Sequence, residues 1–207
     1  MISIIDYGLG NVAAFASAYE HLGMPYEIIS EPERLKKPTH IILPGVGSFE
    51  VAMKKIHNSG FQDLLTHFVL NKKTKVLGVC VGLQIMGRAS EEAPNVNGLG
   101  WVDAETVKIS ITNYPEVTLK LPLMGWNKIV HQRDCPLLKG VVGHEFYFLH
   151  SYNLKIKSDE IISTSVDYGE YLTGSISSDN IFGTQFHPEK SQKNGLVLLE
   201  NFLKWDF

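Results

Sequence analysis

The chain has 207 residues, 44% of them hydrophobic and 20% charged, and carries a formal net charge of −3 at pH 7. That length suits one globular core, and the near-neutral balance provides no basic field for nucleic acid or an anionic membrane. The opening Met1-Ile2-Ser3-Ile4-Ile5-Asp6 has no basic stretch, and no later apolar run approaches the roughly 18 residues of a membrane span. We therefore expect one domain over residues 1–207, in a cytoplasmic protein that binds neither nucleic acid nor membrane. In a reducing compartment, Cys80 and Cys135 are expected to remain free thiols, with Cys135 an ordinary small side chain.

In the first half, strand and helix patterns alternate. Ile2–Asp6 reads as a short buried strand, and the turn Tyr7-Gly8-Leu9-Gly10 leads to Asn11 as an N-cap. Val12, Phe15, Ala16 and Tyr19 keep helical spacing, and Gly23 is placed to end that helix. Strands follow at Tyr26–Ile29 and His40–Leu43, the second stopping at Pro44-Gly45-Val46-Gly47-Ser48. Helices are expected at about Phe49–His57 and Phe61–Leu70, before an apolar strand Lys75–Val79. This alternation predicts an α/β fold with a mostly parallel central sheet and helices on both faces. After Gly98 the strands shorten: Tyr147–Leu149, a hairpin through Ser178-Asp179-Asn180, and Ile181–Phe186. A last amphipathic helix places Leu196, Leu199 and Leu203 on one face.

The chemistry concentrates on Gly78-Val79-Cys80-Val81-Gly82-Leu83-Gln84 and His187-Pro188-Glu189. Cys80 falls between a buried strand and a helix start, with glycines two residues to either side. That spacing suits a sharp turn which lifts a nucleophile from a sheet and aims the next N–H, that of Val81, at the site. The helix N-terminus and a nearby imidazole both favour the thiolate. His187 is the expected base. If Ile181–Phe186 continues as a strand, His187 and Glu189 share a face, and the carboxylate fixes the imidazole tautomer. A buried core cysteine and a loop histidine are the competing readings, each the commoner one for its residue type taken alone.

Pro44-Gly45-Val46-Gly47-Ser48 also joins a strand to a helix, so it should reach the same sheet edge as Cys80. Its unobstructed N–H groups suit an oxyanion; a phosphate cradle lacks the Lys-Ser/Thr pair, and a purely structural turn stays open. His21, His40, His57, His67, His131, His144 and His150 are scattered, so neither metal nor cofactor is expected.

These three segments, the third extending over Gln185-Phe186-His187-Pro188-Glu189-Lys190-Ser191, resemble the class I glutamine amidotransferases. Further matches lie at Asp6–Asn11, Ser90-Glu91-Glu92, Met124-Gly125-Trp126-Asn127, Phe148–Tyr152 and Leu199–Leu203, spanning nearly the whole chain. Within the family they are most similar to the glutaminase subunits of imidazole glycerol phosphate synthases. The resemblance implies a flavodoxin-like, three-layer fold and hydrolysis of L-glutamine to glutamate and ammonia. It also implies a heterodimer with a HisF-like (β/α)8 cyclase that receives the ammonia through a channel, for histidine biosynthesis.

By the same resemblance Cys80 attacks the glutamine amide, His187 protonates departing ammonia and later activates water, and Glu189 supports His187. The Val46 and Val81 amides, with Gly45 and Gly47, form the oxyanion hole. Gln84, Glu92, Ser151 and Tyr152 match the family's glutamine contacts, Glu92 being suited to an α-ammonium group; a plain surface carboxylate is the competing reading. Asn11, Trp126 and Asn127 fall in segments expected to face the partner, with core packing the alternative for Trp126.

Two departures stand out. Val81 and Leu83 replace the more usual Leu and Met, a mild apolar exchange. Gly98-Leu99-Gly100-Trp101-Val102-Asp103-Ala104-Glu105 is instead similar to a paralogous form whose ammonia is used to amidate a sugar in surface-polysaccharide synthesis. That acceptor remains the alternative. A non-catalytic regulatory module, or a peptidase or γ-glutamyl hydrolase on the same fold, is disfavoured by the intact triad and the partner-type segments respectively.

Overall fold

The computed structural model describes residues 1–111 and 119–205. Its parallel half begins with β1 (Ile2–Ile5), α1 (Val12–His21), β2 (Tyr26–Ile29) and β3 (His40–Leu43). It continues through α2 (Phe49–Asn58), α3 (Phe61–Thr66), β4 (Lys75–Val79) and a short α4 (Val81–Gln84). Every residue of β1 and β3 is buried, as expected of strands covered on both faces. β1 pairs in parallel with β2 on one side and β3 on the other, and β3 pairs in parallel with β4. The direction of crossover thus reverses beside β1. With right-handed connections this puts α1 and α2 on opposite faces and opens a crevice at the carboxyl ends of β1, β3 and β4.

The rest comprises β5 (Ala89–Ser90), β6 (Ala104–Lys108), β7 (Leu123–His131), β8 (Glu145–His150), β9 (Tyr152–Ile156), β10 (Ile162–Asp167), β11 (Tyr171–Ser178), β12 (Ile181–Thr184) and α5 (Gln192–Lys204). The main sheet runs β2-β1-β3-β4-β12-β11-β10-β7-β8, and β5-β6-β9 form a smaller one. β12 joins β4 in parallel; from β12 to β8 every pairing is antiparallel. The central sheet is therefore parallel over five strands and antiparallel beyond them.

Several local expectations are revised. Asn11 occupies the cap position of α1, but its side chain makes no capping bond. The helix expected to reach Leu70 ends at Thr66 and continues as a π-helical turn, His67–Asn71. β12 stops at Thr184, and Pro188–Lys190 is a 3-10 turn rather than a strand. On α5 the fully buried positions are Gly195, Leu198, Leu199 and Phe202, an i, i+3, i+4, i+7 stripe, whereas Leu196 and Leu203 flank it half-buried. The hairpin through Asp179 and the left-handed Gly23 after α1 are as read from the sequence.

Candidate active site

The end of β4 delivers Cys80 on a strained backbone, φ 55° and ψ −112°, directly before α4. Such a conformation is costly for a side-chain-bearing residue and persists only where the surroundings impose it. Here they do. The Cys80 N–H donates to the Thr184 carbonyl at 2.8 Å, and the Cys80 carbonyl accepts from the Leu83 and Gln84 amides. A Cβ on Gly82 would lie 2.0 Å from the Leu43 carbonyl oxygen, and one on Gly45 would lie 2.2 Å from the Gly82 nitrogen. The two loops are thus in backbone contact, which no other residue pair permits.

His187 follows β12. Its N–H donates to the Tyr147 carbonyl at 2.9 Å, and its carbonyl accepts from the Ser191 hydroxyl at 2.6 Å. The Ser191 oxygen in turn accepts from the Tyr147 N–H at 3.0 Å. This clamp fixes the 3-10 turn against β8. Gly195 lets α5 press on it, since a Cβ there would fall 1.8 Å from the Pro188 carbonyl oxygen. The turn, rather than a shared strand face, carries Glu189 back to the ring, where its Oε1 lies 2.9 Å from His187 Nδ1. Both side chains are almost wholly buried, at 2% and 1% exposure. Burial opposes a charged imidazole. Hydrogen bonds to Cys80 and Glu189, with their negative charge, outweigh it and raise the His187 pKa from 6.5 to about 10.

A cavity of about 310 Å³ opens over these groups. Val46, Gly47, Cys80, Val81, Gln84, Glu92, Ser151, Tyr152 and His187 all line it, so residues far apart in sequence converge on one space. Pro122, Leu149, His150 and Lys190 complete the wall; the sequence assigns none of them a role in the site, although all but Pro122 fall in the family-like segments. Gly45 and Glu189 stand behind the lining, the first against Val81 and Gly82, the second against His187. Glu92 is half-buried and accepts the N–H of Phe49, the first residue of α2, at 2.8 Å. Its carboxylate thus meets a helix N-terminus as well as the cavity.

Further buried polar groups surround Cys80. The Tyr7 hydroxyl donates to the Pro44 carbonyl at 2.8 Å, tying the loop after β1 to the Pro44–Ser48 loop. Burial, and then the neighbouring Cys80 charge, push the Tyr7 hydroxyl pKa upward. His150 Nδ1 bonds the Tyr152 carbonyl at 2.8 Å. Burial lowers the His150 pKa to about 4; the Tyr152 bond opposes this and the charge on His187 adds to it. The ring is therefore neutral at pH 7.

Asn11, Trp126 and Asn127 lie outside the cavity lining. Asn11 is exposed, and Asn127 is half-buried, donating to the Gly125 carbonyl at 3.3 Å. Trp126 is 46% exposed and stands edge-on to Tyr147, with ring centroids 6.2 Å apart, so it is not a core residue. Met124 beside it is 66% exposed. Cys80 and Cys135 are free thiols, and among the described residues no group of three or more His, Cys, Asp or Glu is arranged to hold a metal. No described helix is long and apolar enough to cross a membrane.

The profile of the family described as glutamine amidotransferase class-I matches residues 3–205. The chain belongs to the class I glutamine amidotransferases. Among its relatives, imidazole glycerol phosphate synthase subunit HisH of Leptospira interrogans is 44% identical over 203 residues, covering 98% of each chain. Imidazole glycerol phosphate synthase subunit HisH 1 of Campylobacter jejuni is 42% identical over 205 residues, covering 99% of this chain and 100% of its own. A crystal structure of a glutamine amidotransferase superposes with a TM-score of 0.75 at 16% identity, over 98% of this chain and 97% of that one, and shares the fold. In this class I amidotransferase the cavity sits at the carboxyl ends of the parallel strands, where open α/β sheets place their ligands.

Proposed function

We propose that the chain is the glutaminase subunit of an imidazole glycerol phosphate synthase, forming one amidotransferase domain over residues 1–207 and acting in the cytoplasm. The observation that carries this reading is the convergence of Cys80 and His187 on one cavity, with Glu189 behind His187, in a chain similar over its full length to proteins named as that subunit. The Cys80 thiolate attacks the side-chain amide carbon of L-glutamine, and negative charge develops on the amide oxygen. The N–H groups of Val46 and Val81, carried on the two loops that Gly45 and Gly82 hold in contact, stabilise that oxyanion, with Gly47 leaving the approach open.

His187 then gives its proton to the leaving nitrogen. The C–N bond breaks, ammonia departs and a γ-glutamyl thioester remains on Cys80. His187, now neutral, removes a proton from water as it attacks the thioester carbonyl; the C–S bond breaks, releasing glutamate and restoring the thiolate–imidazolium pair. Glu189 holds the ring by Nδ1 throughout and stabilises its charged form. Gln84, Glu92 and the Ser151-Tyr152 segment orient the substrate, the Glu92 carboxylate pairing with its α-ammonium group.

The ammonia passes to a (β/α)8 cyclase of the HisF type that docks through Asn11, Trp126 and Asn127. There it completes imidazole glycerol phosphate synthesis in the histidine pathway, a reading supported by the names of the full-length relatives over the sugar-amidating alternative. The test is to mix the chain with such a cyclase and follow glutamate and imidazole product together. Glutamate released with no imidazole product, but with amidated sugar in the presence of a sugar-modifying enzyme, would reassign the pathway and leave the glutaminase chemistry intact.

A further inference from the structure

A chain of buried side-chain amides runs behind Cys80 to its sulfur. Gln185 is fully buried, and its main-chain N–H is fixed on the Gly174 carbonyl at 2.8 Å. Its Oε1 accepts from Gln84 Nε2 at 3.1 Å, and its Nε2 lies 3.7 Å from Cys80 Sγ. A buried glutamine is uncommon and must be satisfied at both ends of its amide.

The direction of the chain follows from its far end. Gln84 Nε2 also donates to the Tyr152 carbonyl, at 3.0 Å. A main-chain carbonyl only accepts, so the Gln84 nitrogen, and not its oxygen, faces it. That same nitrogen then faces Gln185, which must answer with its oxygen. The Gln185 NH₂ group is left pointing at Cys80. His150 reinforces the assignment: its Nδ1 bonds the same carbonyl at 2.8 Å and so carries the proton.

Two groups thereby act on the sulfur in opposite senses. The Leu149 carbonyl, 3.9 Å from Sγ, accepts a hydrogen bond only from the protonated thiol. The Gln185 N–H donates to the sulfur and is strongest when the sulfur bears charge. We infer that Gln185, oriented by Gln84 and the Tyr152 carbonyl, is a donor to the Cys80 thiolate that acts beside His187 to keep the nucleophile ionised and offsets the thiol-favouring Leu149 carbonyl. This rests on the reading of Cys80 as the nucleophile. The role makes a polar core residue part of the chemistry.

The experiment is alkylation of Cys80 by iodoacetamide in the full chain across pH 5–10, followed at the Cys80 peptide by mass spectrometry so that Cys135 does not contribute. In Gln185→Leu the midpoint of the rate against pH is expected to move up by about one unit, the effect of one lost charge-assisted hydrogen bond at moderate strength. Gln84→Leu frees the Gln185 amide to turn, and should move the midpoint the same way by less. Near-UV circular dichroism establishes that each variant is folded, and either folded variant suffices for the reading. A midpoint unchanged in a folded variant overturns the role of Gln185. A Cys80→Ala chain that still hydrolyses glutamine would instead remove the nucleophile assignment on which it rests, so the two failures are told apart.

Discussion

The main-chain N–H of Cys80 donates to the carbonyl of Thr184 at 2.8 Å, one step beyond the Val79–Thr184 pairing of adjacent parallel strands. The proposed nucleophile and base therefore follow neighbouring strands of one sheet. Their separation is set by sheet geometry and by the two residues, Gln185 and Phe186, between Thr184 and His187. Holding the pair in a reactive geometry is worth several kcal/mol of barrier, and a sheet is the stiffest frame on which to do it.

Removal of the nucleophile tests the chemistry most directly. Cys80→Ala should lower glutamine hydrolysis by at least about 10³-fold, because residual catalysis without the attacking group comes only from binding and the oxyanion donors. The fold should survive, since the residue is small. Steady-state glutamate release is the measurement; retention of a tenth of the parental rate would refute the assignment.

The raised His187 pKa predicts how stability changes with pH. The folded state holds this proton up to about pH 10 and the unfolded chain only to about 6.5. The stabilisation is thus complete below pH 6.5 and is lost progressively as pH rises toward 10. Urea unfolding of the parent and of His187→Asn should differ most near pH 6 and converge by pH 10. Glu189→Gln removes one of the groups that raises the pKa, so the decline should finish at lower pH. A difference that grows with pH would contradict the charge assignment.

Backbone contact between the elbow and the neighbouring loop makes Gly82 a point of failure. A methyl group there would sit 2.0 Å from the Leu43 carbonyl oxygen, in main chain that has no side-chain freedom to yield. Gly82→Ala should cost about 1–3 kcal/mol of stability as overpacking. It should also lower turnover more than substrate affinity, because the Val81 amide moves with it. Denaturation and steady-state kinetics measure the two effects. Parental stability in this variant would mean the loops are not in contact.

The parts of this molecule that were legible in sequence are those where chemistry and pattern coincide. The parallel strands stand out as short, mostly apolar runs, and Cys80 stands out because it directly follows one of them, with a glycine two residues to either side. The antiparallel half hides because its buried positions are polar. Ser163, Thr164, Ser165, Thr173, Ser175 and Ser177 are all buried, with Thr164 and Ser175 bonding to each other at 2.7 Å, so β10 and β11 do not read as core strands. β7 escaped for the opposite reason, its apolar Met124, Trp126 and Val130 being exposed and breaking the alternation.

The same limits apply within the site. That His187 and Glu189 meet was legible as a motif, but the 3-10 turn that joins them was not, since the sequence reads as a continued strand. Gln185 and Ser191 look like surface residues by type and acquire meaning only when β8, β11 and α5 close over them. The tie between Glu92 and the Phe49 amide spans 43 positions and leaves no local signal.

The last prediction concerns control by a partner. Trp126 is exposed beside Tyr147, and the Tyr147 main chain bonds both His187 and Ser191. A protein docked on Trp126 would therefore act, through one residue, on the segment that carries His187. Across the cavity, Val46 lies between Gly45 and Gly47, the latter at φ 85°, and a change of backbone angles at these glycines would turn the Val46 N–H toward or away from the site. A misaligned oxyanion donor costs about 10²–10³ in rate. We expect the chain alone to be a slow glutaminase, and a (β/α)8 cyclase with its acceptor bound to raise glutamate production by a factor of that order. Trp126→Ala should weaken the complex about 30-fold, the effect of losing an aromatic hot spot of about 2 kcal/mol. Glutamate release is measured for the chain alone, with cyclase, and with cyclase plus acceptor, and the Trp126→Ala complex is titrated separately. A lone chain turning over at the full rate of the ternary complex would mean the donor is already aligned, and that docking at Trp126 serves only to guide ammonia.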